Sequence, residues 1–210
     1  MKLITFAAEH GVVEAVEKLV DMYRSGHGVE RDYLKAIEWQ EKKIKLFEER
    51  YTADPTEDNQ SNLFWVIIKC GDYYNELAKL IKAKEKYEQA IALFGTAELS
   101  TLSHNQRRNY SVSCNRIGNI CKAEGDLSGA KVYYEKGLEI SVALADKTGT
   151  AESYDDLALS YYKLAFLDAT AKKEYLKKAV EIYEMLVRSC PNVARYRQNL
   201  DIIKRAYANA

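Results

Sequence analysis

The sequence predicts an all-α chain built as a solenoid of antiparallel helix pairs, about nine to ten helices in all. Three observations carry that prediction. Helix breakers are scarce, with only Pro55 and Pro191 and 10 Gly in 210 residues. Ala, Leu, Glu and Lys are abundant, and these side chains lose little freedom in a helix. Above all, the chain repeats itself at 47 residues, the distance from Gly71 to Gly118 and from Gly118 to Ala165.

Each copy opens with a first helix: Asn62-Leu63 to Lys69-Cys70-Gly71, Asn109-Tyr110 to Arg116-Ile117-Gly118, and Asp156-Leu157 to Lys163-Leu164-Ala165. Twelve residues beyond the small residue stands Ala83 or Ala130, and in the third copy Ala179 after a two-residue insertion. Tyr87, Tyr134 and Tyr183 each follow four residues later, and then come Ala90-Ile91, Gly137-Leu138 and Leu186-Val187. Small residues on facing helices let two backbones approach, and the aromatic ring fills the space beside them. Gly125-Asp126-Leu127 reads as the turn between the helices of the middle copy; Ala78-Lys79-Leu80, at the same place in the first, is a less obvious break.

These positions resemble the tetratricopeptide repeat, whose signature is a small residue on a first helix, an Ala opening the second, an aromatic four later, then a small-plus-apolar pair. The resemblance implies a right-handed superhelical solenoid. The basic unit of the family is about 34 residues, so the longer period implies lengthened helices; Phe64 to Ala97 keeps the shorter spacing within it. The N-terminal segment is a different variant. Ala7-Ala8-Glu9-His10-Gly11 runs through Ala15 to Gly26-His27-Gly28-Val29, then Tyr33, Ala36 and Trp39. This resembles a Sel-like repeat, in which a Gly-x-Gly-Val insertion separates the helices; Gly26 and Gly28 permit the left-handed backbone a tight turn needs. Val20 and Lys43 depart from that pattern, which usually has Gly and Ala there, and the departures bear on helix spacing.

The expected organisation is a single helical-repeat domain, 1–210. It comprises a Sel-like repeat with a partial preceding helix (1–54), three repeats (55–101, 102–148 and 149–190) and a capping helix (191–210). Pro55 and Pro191 each stand seven or eight residues before an Asn-Leu pair, marking turns into new first helices. Residues 7–11 resemble the tail of a preceding repeat, so the chain reads as a fragment of a longer protein or as one with a degenerate first cap.

Charge narrows the functional classes. Lys+Arg 31 balances Asp+Glu 31, whereas nucleic-acid binders show a basic excess that neutralises phosphates. The apolar run Phe64 to Ile68 falls far short of the roughly 20 residues of a membrane span, and the N-terminal one is too short for a signal peptide. The chain therefore reads as soluble and cytoplasmic, with neither nucleic acid nor membrane as partner. Cys70, Cys114, Cys121 and Cys190 lack C-x-x-C spacing and read as reduced, buried side chains. His10, His27 and His104 have no ligand spacing, and no phosphate loop, nucleophile elbow or dinucleotide fingerprint is present. The neighbours Asp155 and Asp156 point in different directions on a helix and read as charge near a helix start. Accordingly no catalytic residue, metal ligand or cofactor is assigned.

The informative constellation is periodic. A cation stands before the core residue of each first helix: Lys18, Lys69, Arg116 and Lys163. In tetratricopeptide arrays, by the resemblance, this position faces the concave groove. Asp21 and Asp72, three residues beyond Lys18 and Lys69, offer weak local pairing; the corresponding neighbours of Arg116 and Lys163 are Asn119 and Phe166. With Asn115, Asn119 and Lys122 the stripe could donate to carboxylates or carbonyls, while Trp65, Tyr162 and Phe166 supply apolar contact. The plain alternative is a solvated charged face. Ile68 occupies a place where the carboxylate-clamp subset of the family wants a basic residue, so recognition of a chaperone C-terminus is not supported. The expected function is a scaffold that binds a partner peptide or helix in the groove, with no catalysis. The alternative is a regulatory peptide- or ligand-sensing repeat domain of a larger signalling protein. The oligomeric state and the partner's identity stay open.

Overall fold

The computed structural model describes residues 1–95 and 98–210. Ala97, and with it the end of the 34-residue spacing from Phe64, lies outside the described residues. Among the described residues there are ten α-helices, a single 3-10 turn and no strand, and the chain divides into two compact units, Met1–Gly95 and Thr96–Ala210. Within each unit substantial packing joins helices adjacent in sequence, the pattern of a stacked helical repeat.

The first unit holds α1 (Lys2–Glu9), α2 (Val13–Ser25), α3 (Tyr33–Ala53), α4 (Glu57–Glu76) and α5 (Leu80–Ala92). Helix α2 ends at Gly26, whose φ of 77° places it in the left-handed region where a side chain is disfavoured. The Asp32 carboxylate accepts from the backbone N–H groups of Leu34 and Lys35 and so starts α3. Thr56 does the same for α4 through Asn59. Contacts run in opposite directions along neighbours: Gln60 meets Leu93 and Gly71 meets Tyr87, so α4 and α5 are antiparallel.

The turn before α5 has a feature invisible to a search for glycine. Ala78 adopts φ 54°, and the corresponding residue of the next copy, Gly125, adopts φ 83°. The same left-handed turn is thus made twice, once by an alanine at a conformational cost. Lys43, one of the departures from the Sel-like pattern, is buried and forms an ion pair with Glu17 of α2. Its charge is taken up inside the α2–α3 contact.

The second unit holds the 3-10 turn Leu99–Thr101, then α6 (His104–Ala123), α7 (Leu127–Thr148), α8 (Ala151–Ala165), α9 (Lys172–Ser189) and α10 (Ala194–Ala208). A reciprocal capping box of Ser103 and Gln106 starts α6. Asp126 starts α7 through the Gly129 N–H, and Thr150 starts α8 through Ser153. The two-residue insertion falls in the α8–α9 connection. There the Asp168 carboxylate accepts from Thr170 and Ala171 N–H and pairs with Lys131 of α7 at 2.7 Å. These donors hold its carboxyl well below the usual carboxylate range. Helix α10 buries Tyr196 and Ile203 in a cluster with Leu176, Ala179, Tyr183 and Leu186 of α9.

The repeated tyrosine explains the small residue opposite it. A methyl group built on Gly71 would lie 2.5 Å from the Tyr87 ring, and one on Gly118 2.5 Å from the Tyr134 ring. Each ring lies on bare backbone, and its hydroxyl donates to the next residue of the first helix, Asp72 at 2.8 Å or Asn119 at 2.6 Å. In the third copy the small residue is Ala165 and the acceptor position is Phe166. Tyr183 instead donates to Asp155 at 2.7 Å and accepts from Asn199 of α10 at 2.9 Å.

Candidate functional site

In the second unit α6 and α8 carry six of the residues singled out by the stripe, and the structure sorts them into two groups. The first is built on charge. Lys163 of α8 reaches across to α6, where its Nζ donates to Asn115 Oδ1 at 2.8 Å. It also lies 5.6 Å from the centre of the Tyr134 ring of α7. Burial and the nearby Arg116 guanidinium push the Lys163 amine down to about 8, against an opposing pull from Asp156. Asn115 is anchored from both ends, since one N–H of its Nδ2 donates to the Ser111 carbonyl at 3.1 Å. It holds Lys163 in place and keeps the second N–H of its Nδ2.

The second group is aromatic. Tyr162 and Phe166 meet edge to face at 5.0 Å, and the Lys122 ammonium stands 5.9 Å from the Phe166 ring. Phe166 is 45% exposed and also lies 5.9 Å from the Lys172 ammonium. Asn119 lies on the exposed side of α6, its Oδ1 occupied by the Tyr134 hydroxyl. Its Nδ2 can still donate.

In the first unit Lys69 and Trp65 lie on α4. Both line a cavity of about 270 Å³ with Glu17, Lys43, Phe47, Asn62 and Val66. Lys69, Glu17 and Lys43 also line a second cavity of about 140 Å³ beside Asp21 and Tyr73. Trp65 is 44% exposed and packs edge-on against the buried Phe64. Among the described residues neither Lys18 nor Lys69 forms an ion pair, so the local pairing expected with Asp21 and Asp72 does not form. Asp72 serves as the acceptor for Tyr87 instead.

Several polar residues have structural roles that residue spacing does not announce. Asp155 does not act as helix-start charge. It is buried, accepts from Tyr183 and pairs with Arg195 of α10 at 3.0 Å, tying three helices together. Asp156 points elsewhere, toward Arg108 at 3.6 Å, in a cavity of about 330 Å³ also lined by His104, Thr150, Glu152 and Ser153. All four cysteines are free thiols. Cys70, Cys114 and Cys121 are buried, while Cys190 is only half-buried at the end of α9. Burial pushes the Cys114 thiol up to about 12, the opposite of what a nucleophile requires. His10 packs at a tilt against Phe6, ring centres 4.1 Å apart, and its Nδ1 meets the Phe6 carbonyl at 2.8 Å.

No protein-family profile matches the chain, and no curated protein sequence matches it. Among solved structures it is similar to BtubC (BKLC) from P. vanneervenii, at 14% identity over 97% of this chain and 92% of that one, TM-score 0.43. It is also similar to the de novo designed helical repeat protein DHR64, at 14% identity over 94% and 93%, TM-score 0.27. The DHF79 filament is a third, at 15% identity over 95% and 99%, TM-score 0.29. Likenesses this distant carry no functional assignment. The helix pairs and their 47-residue recurrence, with α4, α6 and α8 beginning at Glu57, His104 and Ala151, stand on the chain's own geometry. The chain has a helical-repeat fold. Among the described residues no helix is long and apolar enough to cross a membrane.

Proposed function

We propose that this chain is a protein-binding scaffold of the tetratricopeptide type with a Sel-like first repeat, and that its second unit binds an acidic, extended segment of a partner protein. The family reading is supported by the rings of Tyr87 and Tyr134 lying on Gly71 and Gly118, and by the left-handed turn at Gly26 and Gly28. The binding reading rests on one observation: the Lys163 ammonium of α8, held at 2.8 Å by Asn115 of α6, is flanked in sequence by the Tyr162 and Phe166 rings, which meet each other at 5.0 Å with Phe166 45% exposed. Desolvation opposes this ammonium, and the Asn115 hydrogen bond and the Asp156 carboxylate offset that cost in part. A carboxylate arriving at this face reverses that balance through charge-assisted hydrogen bonds. The half-exposed Phe166 and Tyr162 beside it offer an apolar anchor of the kind that carries binding energy. Helices already stacked lose little freedom on binding. The proposal has no catalytic step and no cofactor.

Selection of a random peptide library on the immobilised chain tests it. Recovered sequences are expected to be enriched in Asp and Glu spaced from an apolar residue, and to be lost when selection is repeated on the Arg116→Glu/Lys163→Gln double variant. Recovery of the same sequences on both proteins, or of none with acidic bias, would refute the proposal.

A further inference from the structure

The first turns of α6 and α8 bound a polar cavity of about 330 Å³, and Lys163 is not part of its lining. Two contacts fix how these helices lie against each other. Arg108 Nε stands 3.6 Å from Asp156 Oδ2, and Lys163 donates to Asn115, each pair being 48 residues apart. In that register His104 stands opposite Glu152, and both line the cavity. The α6 wall thus carries His104 and Arg108 one turn apart, and the α8 wall carries Glu152 and Asp156 one turn apart. Leu144 of α7 adds an apolar surface. These groups satisfy one another poorly. A separation of 3.6 Å is too long for a hydrogen bond, and it engages only the Nε edge of Arg108. Among the described residues the side chains of His104 and Glu152 have no hydrogen-bond or ion-pair partner, nor do the terminal nitrogens of Arg108.

We propose that this cavity binds a free α-amino acid with an apolar side chain. The ligand carboxylate takes the two terminal nitrogens of Arg108 as a fork, with a ring N–H of His104 beside it. The ligand ammonium donates to the Asp156 and Glu152 carboxylates, and its side chain lies on Leu144. Three features select this class. Opposite charges on facing walls call for a ligand that carries both. Arg108 and Asp156 stand only 3.6 Å apart, so the two charges of the ligand must be close, as they are across a single α-carbon. A volume of about 330 Å³ lies at the small end of the range for small-molecule sites. The exposed Arg108–Asp156 pair contributes little by itself, so a ligand that inserts between its members displaces little. The inference rests neither on Lys163 nor on the binding of a partner segment.

The test is titration of the intact chain with each standard free amino acid, read by calorimetry and by the methyl NMR signals of Leu144. Saturable binding of at least one apolar amino acid is expected, with the Leu144 methyl signals shifting in step. N-acetylation or amidation of that amino acid removes one of its charges, and each should weaken binding by about tenfold or more. Arg108→Gln and Asp156→Asn, shown by circular dichroism to be folded, should each do the same, and Glu152→Gln should weaken binding severalfold. If the true ligand is a peptide terminus, one of the two blocked forms binds as well as the free amino acid, and that result overturns the proposal. So does the absence of saturable binding by any free amino acid, or undiminished binding in Arg108→Gln.

Discussion

An ammonium moved from water into a notch beside a guanidinium loses hydration and gains repulsion. Lys163 is held in that state, so replacing it should help the fold even as it harms binding. Lys163→Met is expected to stabilise the chain by about 1 kcal/mol at pH 7 in urea unfolding, as substitutions at strained functional positions do. The pH dependence has a definite sign. The folded chain releases the Lys163 proton near 8 and the unfolded chain near the ordinary 10.5, so between these values the unfolded state binds more protons. The penalty is complete below the lower value and is relieved as pH rises through the window. The stability gap between wild type and Lys163→Met should therefore narrow from pH 7 to pH 10; a constant gap would remove the electrostatic explanation. A second residue-scale test concerns Ala78, whose left-handed φ of 54° strains an L-residue. Ala78→Gly releases about 1 kcal/mol of strain, offset in part by the greater freedom of glycine when unfolded, and should raise the thermal midpoint by a few degrees.

At the scale of the helix pair, the tyrosine and its opposing small residue act as one unit. Gly118→Ala places a methyl 2.5 Å from the Tyr134 ring and should cost about 1–3 kcal/mol, read from denaturant midpoints. Tyr134→Ala in the same background should leave room for that methyl, so the two losses should be less than additive in a double-mutant cycle. Full additivity would mean that ring and glycine do not meet. Ala165 in the third copy shows the accommodated form of this pair, with Tyr183 directed to Asp155 and Asn199. These pairs were legible in the sequence because close approach of two backbones restricts residue size at fixed positions, and size leaves a period. Hydrogen-bond partners from distant helices leave none. The acceptor role of Asn115 is filled by a lysine 48 residues away, a pairing that spacing does not announce. Asp155 looked like helix-start charge because its partners come from α9 and α10. Ala78-Lys79-Leu80 was the less obvious break because the left-handed conformation is filled there by the less suitable residue.

From α4 to α9 the helices and the alternation of first and second helices follow one 47-residue period in the sequence, while α1–α3 and α10 lie outside it. Lys69, Arg116 and Lys163 recur at the same 47-residue spacing, one in each first helix. What the period did not carry was the unequal state of its members. Lys69 stands exposed beside Trp65 in the first unit, while Lys163 is drawn in against Asn115 in the second. That inequality is why we propose the α6–α8 face for binding. The most direct test is calorimetric titration of a peptide recovered by selection against wild type and Arg116→Glu, both shown to melt at the same temperature. A loss of affinity of at least tenfold in the variant is predicted, with weaker wild-type binding as salt rises. Equal affinity for the two proteins would contradict the account.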